Sequence, residues 1–150
     1  MSKHARPVTS FPAIGKKTIT RTVVLTNAQI KALRATPIAL VPASGAGRAI
    51  IVEAVDLILD AATAAYTETA DNLAVEYSGG TDILTIETTG LVDQASAELR
   101  TVAPAEALSE PVANEGVQLF NTGDGEFGGG NAANKLTVRI RYRVEKSTFA

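Results

Sequence analysis

An all-β chain, folded as a β-sandwich of jelly-roll or another Greek-key form, is what three features of the sequence predict. Short β-branched runs recur along the chain, turn residues separate them, and crossover helices between strands are missing. Its 150 residues suit one domain. That domain is expected over residues 18–150, with one or two short helices, behind an extended N-terminal arm of residues 1–17.

The arm carries two prolines, a glycine, four basic residues and isolated apolar positions, a composition suited to ordering only on docking. Arg6, Phe11, Ile14, Lys16 and Lys17 are its candidate partner contacts. From Thr18 to Leu25 the residues are β-branched and strand-like. Thr26 with Gln29 forms a capping-box pattern, and Ile30 and Leu33 share a face, predicting a helix of two to three turns. Pro37 ends it by about Ala35. Ile38 to Val41, bracketed by Pro37 and Pro42, reads as a short edge strand.

Ala49 to Leu59 is a long strand, with Ile51, Val55, Leu57 and Leu59 on one face and Glu53 as the exception. A weaker strand lies around Tyr66. Leu73 to Tyr77 alternates, and Ser78-Gly79-Gly80-Thr81-Asp82 turns it into Ile83 to Thr88 as a hairpin. Gly90 to Val102 suggests a second short helix, Ala103 to Glu115 a connection, and Val117 to Phe120 a strand. After the glycine-dense loop Asn121 to Asn134, Lys135 to Lys146 is the clearest strand of all. Leu136, Val138, Ile140, Tyr142 and Val144 form one face, with Arg139, Arg141 and Arg143 on the other.

Composition excludes several chemistries. Without cysteine there is no disulfide, thiolate metal site or cysteine nucleophile. His4, the single histidine, lies in the arm, so a Ser-His-Asp or Cys-His relay lacks a positioned proton carrier. Asp56 and Asp60 would stand about 13 Å apart on their strand, beyond a glycosidase pair. Asp124 and Glu126 in the loop read as solvated charges. Gly123-Asp124-Gly125-Glu126-Phe127-Gly128 matches the dinucleotide fingerprint in letters, but no helix follows it to hold a pyrophosphate. No catalytic, cofactor-binding or metal-ligating residue is therefore expected, and the chain is read as non-enzymatic. The best apolar stretch is interrupted by Glu53, Asp56 and Asp60, which excludes a spanning helix.

The formal charge of −2 is segregated: +8 over residues 1–48, −14 over 49–134 and +4 over 135–150. If the ends meet, the molecule has a basic and an acidic side; alternatively the ends neutralise the middle. The row Arg139, Arg141 and Arg143 needs negative partners. These are Glu53 or Asp56 on a neighbouring strand, another subunit, or nucleic acid. The acidic pI of about 5.4 and the few aromatics disfavour nucleic acid, leaving protein contact.

The segment Leu25-Thr26-Asn27-Ala28-Gln29-Ile30-Lys31-Ala32-Leu33-Arg34-Ala35-Thr36-Pro37-Ile38-Ala39-Leu40-Val41-Pro42-Ala43 resembles small virion proteins of tailed bacteriophages. Gly45-Ala46-Gly47, the following strand, the late glycine-rich loop and the last strand extend the resemblance to about two thirds of the chain. It implies a head cement or decoration subunit, typically a β-sandwich that binds the outer capsid as a dimer or trimer. The implied partners are a major capsid protein and further copies of the chain, with no nucleic acid and no membrane. The implied location is the capsid surface of the virion, after synthesis in the host cytoplasm. A tail or head–tail component, or a carbohydrate-binding sandwich, is the alternative.

Overall fold

The computed structural model describes residues 17–61, 63–68, 72–105 and 111–146. The arm, Lys17 excepted, lies outside them, and Arg6, Phe11, Ile14 and Lys16 with it. The chain forms β1 (Ile19–Thr26), α1 (Asn27–Ile30), β2 (Ile38–Val41), β3 (Arg48–Asp60), β4 (Tyr66–Thr67) and β5 (Asn72–Tyr77). There follow β6 (Asp82–Glu87), β7 (Glu98–Val102), β8 (Val117–Asn121), β9 (Gly128–Gly129) and β10 (Lys135–Lys146).

The pairing is nested. β1 pairs β10, β2 pairs β8, β3 pairs β7 and β5 pairs β6, all antiparallel. That is one long hairpin, turned at residues 78–81 and rolled so that its rungs fall alternately into two sheets. The sheets run β1-β10-β3-β7 and β2-β8-β5-β6, with β4-β9 as a small third ladder. This wiring is a jelly roll, which resolves the Greek-key choice left open by sequence.

Alternation builds the core. Leu25, Val55, Leu57, Leu59, Leu136, Val138 and Ile140 of one sheet face Leu73, Val75, Leu84, Ile86, Val117 and Leu119 of the other, all buried. Each such side chain contributes about 1.5–3 kcal/mol by leaving water. Tyr77 ties the layers together, its hydroxyl donating to the Ile50 carbonyl at 2.6 Å.

Three sequence expectations change. On β3 the register slips beside β10 between Arg141 and Tyr142, opposite Ala54 and Val52, so Glu53 is the extra residue of a β-bulge. The buried set is therefore Ile50 and Val52 before the bulge and Val55, Leu57 and Leu59 after it. Ile51 does not join that face.

The expected two- to three-turn helix is only α1, a single turn with its capping box formed. Its continuation fails because the Arg34 and Ala35 N–H groups, which a helix would spend on its own carbonyls, donate to the Glu126 carboxylate at 3.0 and 2.7 Å. The helix expected over Gly90 to Val102 is a tight turn followed by β7. Gly90 has φ 77° and donates to Asp93 Oδ1 at 2.7 Å, closing the turn that sinks Leu91 and Val92 into the core.

Candidate docking surface

The outer face of the β1-β10-β3-β7 sheet is organised by register into rows. Thr22, Arg139, Asp56 and Thr101 stand side by side across four strands. The next row is Val24, Thr137, Ile58 and Leu99. Its two outer members are 53% and 66% exposed, large apolar side chains left in water at each side of the sheet. Thr20, Arg141 and Ala54 form the row on the other side of Arg139.

The described parts of the two basic ends do meet, since β1 and β10 are paired. The charge of the β10 arginine row is largely offset in place. Asp56 takes Arg141 through both guanidinium nitrogens at 3.0 and 3.2 Å, Arg139 at 3.7 Å, and a hydrogen bond donated by Thr101 Oγ1 at 2.9 Å. Arg143 meets Glu53 at 3.3 Å and Glu145 at 2.8 Å, which hold it still more firmly in its charged form. The bulge turns Glu53 to the start of β1, where Thr18 Oγ1 donates to it at 2.8 Å. Both intramolecular partners considered from sequence, Glu53 and Asp56, are used. Of the candidate contacts, Lys17 is exposed just before β1 and Arg139 keeps the most exposed guanidinium of the row.

Sequence reasoning missed the apolar row. Val24 and Leu99 are distant in sequence, and only the ladder register aligns them. Nor did it show that the glycine loop is anchored inward at several points. Phe127 is buried against Tyr66 with ring centres 6.4 Å apart, and Gly128 and Gly129 pair with Thr67 and Tyr66. Asn121, itself buried, donates to the Gly125 carbonyl and accepts from Gly123 N–H. Arg34 donates to the Gly123 carbonyl. Glu126 is therefore an exposed carboxylate that also serves as a structural acceptor.

Among the described residues no three metal-binding side chains converge, and no helix is long and apolar enough to cross a membrane.

No known protein family matches the chain, and no curated protein does. A solved structure titled "Cyanophage Pam1 capsid asymmetric unit" aligns over 95% of this chain and 93% of that one, at 17% identity and a TM-score of 0.48. That likeness is too distant to decide fold or role; the fold rests on the strand pairings above.

Proposed function

We propose that this chain is a non-enzymatic structural protein of a tailed-phage particle, a cement subunit that binds the outer capsid and bridges neighbouring capsid subunits. The observation that carries the reading is the outer sheet face, where exposed Val24 and Leu99 flank half-buried Thr137 and Ile58 in one row beside Arg139. Exposed apolar side chains with a polar border are the make-up of a protein interface. The resemblance of residues 25–55 to phage virion proteins supports a major capsid protein as the partner.

Two observations weigh against the rivals. Three carboxylates are engaged in structural contacts: Asp56 by arginines, Glu76 by Gln118 at 2.7 Å, and Glu126 by backbone. All three tyrosines, Tyr66, Tyr77 and Tyr142, are buried and the chain has no tryptophan. A sugar-binding sandwich stacks its ligand on exposed aromatics, and none of the tyrosines offers that platform.

The test uses empty shells assembled from the major capsid protein of the phage whose genome carries this chain. Parent protein should cosediment with them, a Leu99→Lys variant should bind at least tenfold more weakly, and deletion of residues 2–17 should weaken attachment while leaving the domain folded. No cosedimentation of the parent would defeat the proposal; unchanged attachment after the deletion would remove the arm from it.

A further inference from the structure

Each sheet has two edges, and three of the four are blunted. β2 is short and irregular, flanked by Pro37 and Pro42. β6 begins at Asp82 and ends at Glu87, opposite a register irregularity in β5. β7 is short and carries Glu98 and Arg100, the latter folded over the sheet gap onto the Glu87 and Thr89 carbonyls. β1 is different. It spans Ile19–Thr26 without proline or bulge, pairs only with β10 among the described residues, and holds one charge, Arg21. Two of the exposed large apolar side chains, Ile19 at 39% and Val24 at 53%, sit on it. An open, regular, weakly charged edge is a template for another strand, and natural sequences normally protect such edges.

The strand is also complementary to itself. Ile19, Arg21, Val23 and Leu25 share the inner side, and Thr20, Thr22, Val24 and Thr26 the outer. Antiparallel pairing of two β1 strands about a twofold axis at Thr22 keeps each side matched. It sets Thr22 against Thr22, Arg21 against Val23, Thr20 against Val24 and Ile19 against Leu25. No like charges are opposed, whereas an axis at Arg21 would oppose the two arginines directly. An axis at Thr22 also overlaps the strand almost end to end.

We infer that β1 pairs antiparallel with β1 of a second copy, joining two four-stranded sheets into one continuous eight-stranded sheet across a twofold axis at Thr22. The inference specifies the self-association within the proposed function, and so rests on that reading. The row Thr22-Arg139-Asp56-Thr101 then runs unbroken across the axis, with an apolar row flanking it on each copy.

The absence of native cysteine makes the test clean. Full-length Thr22→Cys should form a disulfide-linked dimer on mild oxidation, because residues opposed in such a ladder stand about 4.5–5.5 Å apart between Cα atoms. Thr20→Cys and Val24→Cys should crosslink poorly alone and well when mixed. Thr137→Cys, one strand inward on the same face, should crosslink at least fivefold less than Thr22→Cys. Sedimentation of the parent should show a concentration-dependent dimer, and Thr22→Lys, which opposes two like charges, should shift it to monomer.

A parent chain that stays monomeric at all concentrations overturns the inference. So does equal crosslinking at Thr22 and Thr137, the signature of stacked faces. No shell is needed here, so a dimer that ignores capsid shells would defeat the proposed function alone. A monomer that still binds them would defeat only the edge pairing.

Discussion

Arg141 grips Asp56 with both terminal guanidinium nitrogens, at 3.0 and 3.2 Å, although Arg139 is the residue directly opposite Asp56 in the ladder. The diagonal neighbour makes the two-point contact while the direct one stands off at 3.7 Å. Asp56 is thereby almost wholly buried on what is otherwise a solvent-facing sheet surface. Three arginines here meet three carboxylates, Asp56, Glu53 and Glu145, so the row carries little uncompensated charge. Docking by this face must depend on its apolar row more than on long-range attraction.

The asymmetry predicts an order of stability losses. Asp56→Ala strips two arginines and Thr101 of their shared acceptor and should cost about 1–3 kcal/mol. Arg141→Ala should cost less. Arg139→Ala, with its half-exposed guanidinium and long contact, should cost under about 0.5 kcal/mol. Denaturant unfolding of the three variants checks the order, and an Arg139→Ala loss as large as that of Asp56→Ala would contradict it.

Glu126 links the glycine loop to the turn after α1 by accepting two backbone N–H groups. Glu126→Ala should therefore speed amide exchange at Arg34 and Ala35 by about fivefold to tenfold, the range of a lost net hydrogen bond. The Tyr77 amide, held in the hairpin turn by Thr81, should be unaffected. Hydrogen exchange read by NMR separates a local release from general destabilisation.

These contacts mark what sequence could and could not show. β10 was legible to the residue because Leu136 through Tyr142 alternates without interruption, and the β5–β6 hairpin because Gly79 and Gly80 divide two alternating runs. The α1 capping box was legible for the same reason, being written in four adjacent residues. Its early end was not, because the group that stops it, Glu126, lies 91 residues from Ala35. The bulge at Glu53 was visible only as a blemish in the pattern. Its cause is the pairing with β10, and a single strand does not display its partner. The outer apolar row was hidden likewise, since Val24, Thr137, Ile58 and Leu99 become neighbours only once four registers are fixed.

Two glycines of similar backbone conformation should respond differently to alanine. Gly47 has φ 69° with open space around an added Cβ, so Gly47→Ala should cost about 1–2 kcal/mol from backbone strain alone. Gly130 has φ 74°, and its added Cβ would strike the Tyr66 ring and approach Asn27 Oδ1 at 2.9 Å. Tyr66 is buried and its hydroxyl donates to that same Asn27 oxygen at 2.8 Å, so neither group can yield freely. Gly130→Ala should therefore exceed Gly47→Ala by at least about 1 kcal/mol. Thermal unfolding of both variants measures the difference, and equal losses would show that the Tyr66–Phe127 cluster is looser than described.

Burial pushes the Tyr77 phenol above its usual value of 10.0, with a hydrogen bond from the Val112 backbone working against the rise and the nearby Glu115 charge adding to it. Tyr66 is raised too, by burial. A phenol that ionises less readily when folded leaves the native state with more bound protons than the unfolded chain once pH passes about 10. Stability therefore holds below that pH and falls as pH rises from there through the folded-state values. Tyr77→Phe removes one of these ionisations together with the hydrogen bond to Ile50. It should be less stable than the parent by about 1–2 kcal/mol at neutral pH, since the Ile50 carbonyl loses its buried donor. Above pH 10 its stability should decline less steeply, narrowing that gap. Unfolding free energies measured across the alkaline range test both parts, and parallel declines would mean that Tyr77 does not lock the two sheets in its neutral form.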